Sequence, residues 1–250
     1  MPKTKQNPIF YVLWVGVIGL LVFSVMELGK SSMVAPPVAQ SDNQIAPTKA
    51  EIIKNWSDLI RTSPSGIRGN PHARFIAVEF ADFQCPMCAL VSEPLARAVA
   101  RSKGQFAVYF YHRPFPKEHP LAVKAAEIAN IAASKGKFWQ TYDLFFEKQE
   151  SMTKSNLLDL LSGIGMNTPD VKSELQSPVS LAGLDAQIQS NMTLDQEIHA
   201  SETPTLAVRD MRTDNVAVEV GKNDVALLLE KMHLITPTEA QTIIRGDRLK

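Results

Sequence analysis

Hydrophobic residues follow two spacings along the chain, and each spacing predicts a different element. Nearly continuous apolar runs at 74–80 and 106–111 are rich in strand-forming residues, and the residues between them show helical spacing. A strand, a helix and a second strand in this order form a crossover unit whose strands pair in parallel. Helical spacing then extends through 119–199, before strand patterns return at 205–208 and 216–220. The pattern therefore predicts an α/β fold with an inserted helical region.

The N-terminus carries a charge-free apolar run, residues 9–26, which is apolar on every face. At a rise of about 1.5 Å per residue, this run is just long enough to cross a bilayer core. Lys3 and Lys5 precede it, so the positive-inside rule predicts a single-pass transmembrane anchor at 1–30 with the remaining chain outside the cytoplasm. A cleaved signal peptide is the alternative, although its apolar core is usually only about 7–15 residues long, and it would export the same domain.

Prolines, glycines and helix-capping patterns divide the rest of the chain into segments. Residues 31–47 are polar and contain prolines, which predicts an extended linker. Capping-box patterns open a domain at 48–235, with its helical insertion at about 117–200, and a C-terminal helical tail at 236–250. Within the domain, residues 63–72 hold several prolines and glycines and are predicted to form a loop.

Composition excludes several classes of function. Lys and Arg together number 26, as do Asp and Glu, so the formal net charge is zero and nothing indicates a nucleic-acid partner. The chain has two cysteines, Cys85 and Cys88, and five histidines that form no ligand pair near them. A disulfide-stapled domain would need more cysteines, and a structural zinc site a fuller set of ligands. We therefore predict a redox pair with no metal and no cofactor.

The sequence Cys85-Pro86-Met87-Cys88 follows a predicted strand and opens a predicted helix. The first cysteine then lies among unpaired N–H groups at the positive end of the helix dipole, which lowers its pKa. Pro86 fits the first helical turn because its missing N–H would have no partner there. Cys88 lies one turn on, so Cys85 is the predicted nucleophile and Cys88 the resolving cysteine of exchange through a mixed disulfide. An inert structural disulfide is the alternative, but so small a loop adds little stability.

Three segments resemble the DsbA-like branch of the thioredoxin superfamily. Residues 74–88, RFIAVEFADFQCPMC, resemble its active-site strand and turn, and residues 112–146, with their Gly-Lys-Phe-Trp, resemble its entry into an inserted helical domain. Glu202-Thr203-Pro204-Thr205 resembles the loop that holds its cis-proline. The resemblance covers about residues 70–233 and implies a thioredoxin-like fold with an inserted α-helical domain and thiol:disulfide oxidoreductase activity.

The resemblance also implies roles for residues outside the motif. It implies a cis bond at Pro204 that places the Thr203 backbone beside Cys85, where it pairs with a substrate strand; on the residues alone, a trans proline at a strand start fits equally. It implies that Glu79 is a buried acid below the active site. A carboxylate in an apolar strand is costly to bury, has a raised pKa and can exchange protons with Cys88. Strand alternation that turns Glu79 towards solvent is the alternative.

Two departures from the family pattern predict a less oxidising couple than the family's extreme. Glu202 stands where the family often has glycine, and it brings a negative charge close to Cys85. Met87 stands where the strongest oxidants have histidine, and its side chain cannot donate a hydrogen bond to a thiolate. Asp82 is predicted to be a turn residue.

The combined prediction is an extracytoplasmic, periplasmic-side oxidoreductase, ranked first as a disulfide donor to exported polypeptides with cysteine pairs and recycled by a membrane redox partner. A reductase or an isomerase would use the same cysteines, although residues 48–70 are short for the dimerisation domain of an isomerase. A copper(I) protein that uses Cys85, Met87 and Cys88 is a second class, since soft sulfur ligands select copper(I). An adaptor without turnover is a third, and the intact motif argues against it.

Overall fold

The structure is a computed structural model that describes residues 49–61, 65–200 and 202–248. The predicted anchor at 1–30 and linker at 31–47 lie outside these residues. Among the residues that are described, no helix has the length and apolar character needed to cross a membrane.

One mixed sheet of five strands, in the order β1-β3-β2-β4-β5, forms the centre of the fold. Strands β2 and β3 pair in parallel, as the crossover pattern predicts, and the remaining pairs are antiparallel. The strands are β1 (Gly66–Arg68), β2 (Phe75–Ala81), β3 (Phe106–His112), β4 (Thr205–Asp210) and β5 (Val216–Val220). The prediction of a loop throughout 63–72 is wrong, because this segment contains the edge strand β1. A strand of three residues is too short to show the alternation of buried and exposed side chains that identifies a strand in a sequence.

Helices cover the sheet and fill the connection between β3 and β4. They are α1 (Lys49–Arg61), α2 (Pro86–Arg101), α3 (Ala122–Ser134), α4 (Phe138–Glu147), α5 (Thr168–Gln176), α6 (Pro178–Glu197), α7 (Gly221–Lys231) and α8 (Pro237–Arg245). Short 3₁₀ helices at Gln149–Ser151 and Asp159–Ile164 follow α4. Because α3 to α6 all lie between β3 and β4, the predicted helical insertion corresponds to these four helices.

Side chains of the central strand are buried on both faces of the sheet. Val78 and Phe80 of β2 belong to a cluster with Trp56 and Leu59 of α1. Ala77 belongs to a second cluster, with residues of α2, α7 and α8. A strand that is buried on both faces reads as a continuous apolar run, which is the pattern at 74–80.

The C-terminal segment is a helix that packs on this second cluster. Ala240 and Ile243 of α8 are fully buried. Thr236 and Glu239 form the predicted capping box at its start. Glu239 also accepts hydrogen bonds from Arg101 of α2 at 2.8 and 3.0 Å, which ties α8 to the helix that carries the cysteines.

Aromatic side chains pack around the turn that follows β2. The Phe83 ring lies 5.6 Å from Phe110 and 5.1 Å from Phe146, measured between centroids. Cys85 and Cys88 belong to the same buried cluster, which also includes residues of α3 and α4. The inserted helices therefore form part of the surroundings of both cysteines.

Candidate active site

Cys85 is the N-cap residue of α2, and Pro86 occupies the first helical turn. Its backbone is extended, with φ −71° and ψ 118°, and its N–H donates to the carbonyl oxygen of Asp82 at 3.0 Å. Cys85 is 7% exposed, whereas Cys88 is fully buried. The predicted placement of the motif, after a buried strand and at a helix start, matches this geometry.

The loop before β4 lies against Cys85. The Thr203–Pro204 bond is cis, as the resemblance implies. The Cys85 sulfur lies 3.4 Å from the carbonyl oxygen of Thr203, a residue 118 positions further along the chain. Pairing of Thr203 with a substrate strand stays a prediction.

The Cys85 thiol is acidified by its surroundings. Its pKa is lowered from 9.0 to about 6, chiefly by a hydrogen bond from the Cys88 thiol. The Thr203 side chain and the backbone N–H groups of Met87 and Cys88 lower it further, while burial opposes them. Because these donors stabilise the negative charge of the sulfur, Cys85 is mainly a thiolate at neutral pH.

Cys88 is shifted in the opposite direction. Its side chain is fully buried, and this burial raises its pKa well above 9.0; the hydrogen bond to Cys85, the charge on Cys85 and the charge on Glu79 add to the effect. Both cysteines are free in the structure, with no disulfide between them. Cys85 is thus slightly exposed and mainly ionised, whereas Cys88 is fully buried and protonated.

This asymmetry predicts selective alkylation of the reduced protein. The rate of reaction of Cys85 with iodoacetamide should rise with pH to a half-maximum near pH 6, because only the thiolate reacts. Cys88 should remain unmodified at that pH, since it is buried and protonated. Mass spectrometry of the modified peptide distinguishes the two sites. A half-maximum near pH 9, or label on Cys88, would contradict the assignment.

Glu79 lies on β2 and is fully buried. The alternative in which Glu79 faces solvent is therefore wrong, because β2 is covered on both faces. Removal from water raises the pKa of Glu79 from 4.5 to about 8, while a hydrogen bond from Tyr142 and the charge of Arg68 partly oppose this rise. Glu79 is consequently a neutral acid at pH 7, close enough to Cys88 for its charge to affect that thiol.

Two polar side chains that sequence reasoning did not assign to the site hold the turn before Cys85. Asp82 is buried and accepts hydrogen bonds from the N–H groups of Gln84 at 2.7 Å and Phe115 at 2.9 Å. It also lies 2.7 Å from Nδ1 of His119. The side-chain amide of Gln149 donates to the carbonyl oxygen of Cys85 at 3.0 Å. The turn is thus fixed from the inserted helices as well as from its own backbone.

The two residues that depart from the family pattern lie at the periphery. Met87 is half-buried and packs against the cluster around the cysteines. Glu202 is exposed, and its carbonyl oxygen accepts a hydrogen bond from the Thr205 hydroxyl at 2.6 Å. In the part of the chain that the structure describes, no group of three or more His, Cys, Asp and Glu side chains is arranged for a metal. The predicted copper(I) site would use Cys85, Met87 and Cys88. Its thioether ligand, Met87, is not among the four residue types of such a group, so this site stays a prediction.

An open groove of about 630 Å³ begins at Gln84, the residue before Cys85. The Gln84 side-chain oxygen accepts a hydrogen bond from the N–H of Leu121, which joins the turn to the start of α3. The walls are mainly apolar, with residues that include Leu121, Ile128, Met152, Leu157 and Leu158. An apolar side chain of a bound polypeptide fits such a groove.

The dithiol at a helix start, the loop of the cis-proline and the sheet with its inserted helices together define a thioredoxin-like protein. The family model described as thioredoxin matches residues 62–221, and the chain belongs to this family. The predicted thioredoxin-like fold and membership of the thioredoxin superfamily are therefore confirmed.

Solved structures of other proteins share the fold. The thiol-disulfide exchange protein alpha-DsbA2 from Wolbachia pipientis has a TM-score of 0.61 and 21% identity, covering 74% of this chain and 94% of that chain. A periplasmic thioredoxin-like protein from Salmonella enterica serovar Typhimurium has a TM-score of 0.56 and 20% identity, covering 76% of this chain and 97% of that chain.

A curated relative is similar over a shorter stretch. The Na(+)/H(+) antiporter NhaA 3 of Salinispora tropica is 36% identical over 92 residues, which is 37% of this chain. The match spans only 14% of the length of the antiporter.

Proposed function

We propose that this protein is a disulfide donor, which acts outside the cytoplasm on exported polypeptides that contain cysteine pairs. The observation that carries the proposal is that the pKa values of the two cysteines are shifted in opposite directions. Cys85 is acidified by hydrogen bonds at the start of α2, and Cys88 is buried beside a protonated Glu79. The low pKa of Cys85 favours the dithiol state over the disulfide, which is the property of an oxidant, and the protonated Glu79 can supply a proton to the departing Cys88 sulfur.

The reaction begins with the oxidised Cys85–Cys88 pair. A substrate thiolate attacks the Cys85 sulfur, the bond between the two protein sulfurs breaks, and Cys88 leaves as a thiolate that takes a proton from Glu79. A second substrate thiolate attacks the substrate sulfur of the mixed disulfide and releases Cys85 as a thiolate. The substrate pair is oxidised by two electrons, and the protein pair is reduced by two.

The acidity of Cys85 contributes to the driving force. At pH 7, a thiol with a pKa of about 6 instead of 9.0 stabilises the reduced protein by about 1.4 kcal/mol. For a two-electron couple this equals a rise of about 30 mV in reduction potential. The low pKa also makes Cys85 a good leaving group in the second step.

Location and partners are inferred from three observations. The apolar run at 9–26 follows two lysines, which supports a membrane anchor with an exported domain. The Salmonella protein of the same fold is described as periplasmic. The groove beside Gln84 suits an apolar side chain next to a substrate cysteine. In this setting a membrane redox partner must return the pair to the disulfide after each cycle.

A thiol-transfer assay tests the direction of exchange. The oxidised full-length protein is mixed with a reduced, unfolded polypeptide that has two cysteines, and free thiols are counted on both partners. A donor transfers its disulfide to the polypeptide, so two substrate thiols are lost while the thiols of Cys85 and Cys88 become free. Oxidised Cys85→Ser protein, which has no internal disulfide, is the control. If the polypeptide stays reduced, while the dithiol protein opens the oxidised polypeptide, the protein is a reductase.

A further inference from the structure

Glu79 lies in a buried polar group that three elements of the fold supply. From α4, the Tyr142 hydroxyl donates to both carboxyl oxygens of Glu79, at 3.1 and 3.2 Å. From β1, Arg68 lies over the ring of Tyr142, with its guanidinium carbon 5.4 Å from the ring centroid. From α2, Cys88 lies within electrostatic range. The neighbours of Glu79 in the sheet are Phe110 and Leu206, which do not titrate.

The Tyr142 hydroxyl is not required for packing. The Tyr142 ring is buried among other aromatic rings, with centroids 4.8 Å from Phe146, 5.0 Å from Trp139 and 5.4 Å from Phe110. A phenylalanine ring would make the same contacts. A buried hydroxyl costs free energy unless it is hydrogen-bonded, and the partner of this hydroxyl is Glu79.

Arg68 is held in place on its other sides. Its guanidinium carbon lies 4.4 Å from the centroid of Trp139, and its Nη2 lies 2.6 Å from a carboxylate oxygen of Asp143. The side chain is 15% exposed, so its charge is only partly screened by water. The positive charge favours the ionised form of Glu79, as does a hydrogen bond from Tyr142.

We propose that Tyr142 and Arg68 are positioning residues for the proton step at Cys88, because they orient the Glu79 carboxyl group and set the pH at which it exchanges its proton. The inference rests on the proposed use of Glu79 as the acid. In that step the O–H bond of Glu79 breaks and an S–H bond forms at Cys88. Tyr142 then donates its hydrogen bond to the carboxylate that remains.

The Tyr142→Phe substitution tests this role in the full-length chain. Loss of the hydroxyl removes a hydrogen bond to the carboxylate, so the titration midpoint of Glu79 should move upwards by about one pH unit. ¹³C NMR of labelled glutamate carboxyl groups measures this midpoint, and the Glu79→Gln spectrum assigns the signal. The rate at which glutathione opens the protein disulfide, corrected for its thiolate fraction, should begin to fall at a correspondingly higher pH.

Two further variants separate positioning from general damage to the core. Arg68→Gln should also raise the titration midpoint of Glu79. Arg68→Lys keeps the positive charge, so its midpoint should lie close to that of the unaltered protein. Tyr111→Phe is the matched control, because the buried Tyr111 hydroxyl donates to the Leu59 carbonyl oxygen instead of Glu79. It should leave the midpoint unchanged.

The NMR titration does not depend on the direction of disulfide exchange, so it separates this inference from the donor assignment. If Tyr142→Phe and Arg68→Gln leave the midpoint where Tyr111→Phe leaves it, the positioning role is wrong even for a working donor. If the midpoint moves as expected but no disulfide is transferred, the positioning stands and the donor function is wrong.

Discussion

Replacement of Cys88 by serine is expected to abolish turnover and to leave the protein joined to its substrate through Cys85. The serine hydroxyl cannot displace the substrate sulfur, so the mixed disulfide has no route to resolution within the protein. Incubation of the Cys88→Ser variant with an oxidised two-cysteine polypeptide should produce a covalent adduct of one protein and one polypeptide. Non-reducing electrophoresis detects the adduct, and dithiothreitol should release it.

Cys85→Ser is the matched control for this trap. The remaining Cys88 is fully buried and has a raised pKa, so it should form no adduct under the same conditions. If Cys85→Ser traps substrate as readily as Cys88→Ser, the assignment of nucleophile and resolving cysteine is wrong.

Glu79→Gln is expected to slow opening of the protein disulfide by about 100-fold at pH 7, the usual contribution of a positioned general acid. Glutamine retains an oxygen that accepts the hydrogen bond from Tyr142, but it has no proton to give to the departing Cys88 sulfur. In the unaltered protein the rate, corrected for the thiolate fraction of the attacking thiol, should decline above about pH 8, as Glu79 ionises. The variant should lack this decline. Stopped-flow fluorescence across the pH range provides the rates.

Glu127→Gln is the matched control for the Glu79 substitution. Glu127 is also a buried carboxylate, but it lies on α3 and pairs with Lys124. Its replacement should leave both the rate and the pH profile within about twofold of the unaltered protein. An equal loss of rate in the two variants would indicate a general effect of replacing a buried carboxyl group, and Glu79 would have no specific role in the proton step.

Local patterns in the sequence predict the parts of the site that depend on neighbouring residues. The apolar run at 74–80, the following turn and the helix after Cys85 are adjacent in the chain, so their order alone predicts the parallel strands and the position of the motif. The placement of Cys85 as the N-cap residue of α2, with Pro86 in the first helical turn, follows from the same order.

Long-range contacts are the part that the sequence does not reveal. Tyr142 lies 63 positions from Glu79, and its place in an apolar helical stripe predicts only a core residue. Arg68 lies on an edge strand of three residues, and the prolines and glycines around that strand predict a loop instead. Asp82 was predicted as a turn residue, and its bond to Gln84 fits that role, but its contacts with Phe115 and His119 form only when the chain folds.

The resemblance to the DsbA-like branch supplied what spacing could not. A proline before a strand does not by itself predict the cis bond at Pro204, and only the similarity of the loop placed Thr203 beside Cys85. The burial of Glu79 likewise depends on the coverage of both faces of β2, and the sequence of one strand does not show whether its second face is covered.

The reduction potential of the Cys85–Cys88 pair is the most direct test of the central claim. The full-length protein is equilibrated with glutathione buffers at pH 7, and the fraction of reduced protein is measured by thiol labelling and mass spectrometry. A donor with an acidified Cys85 should show a reversible two-electron couple between about −120 and −180 mV. A value near about −270 mV, or no reversible couple, would contradict the assignment of the protein as a disulfide donor.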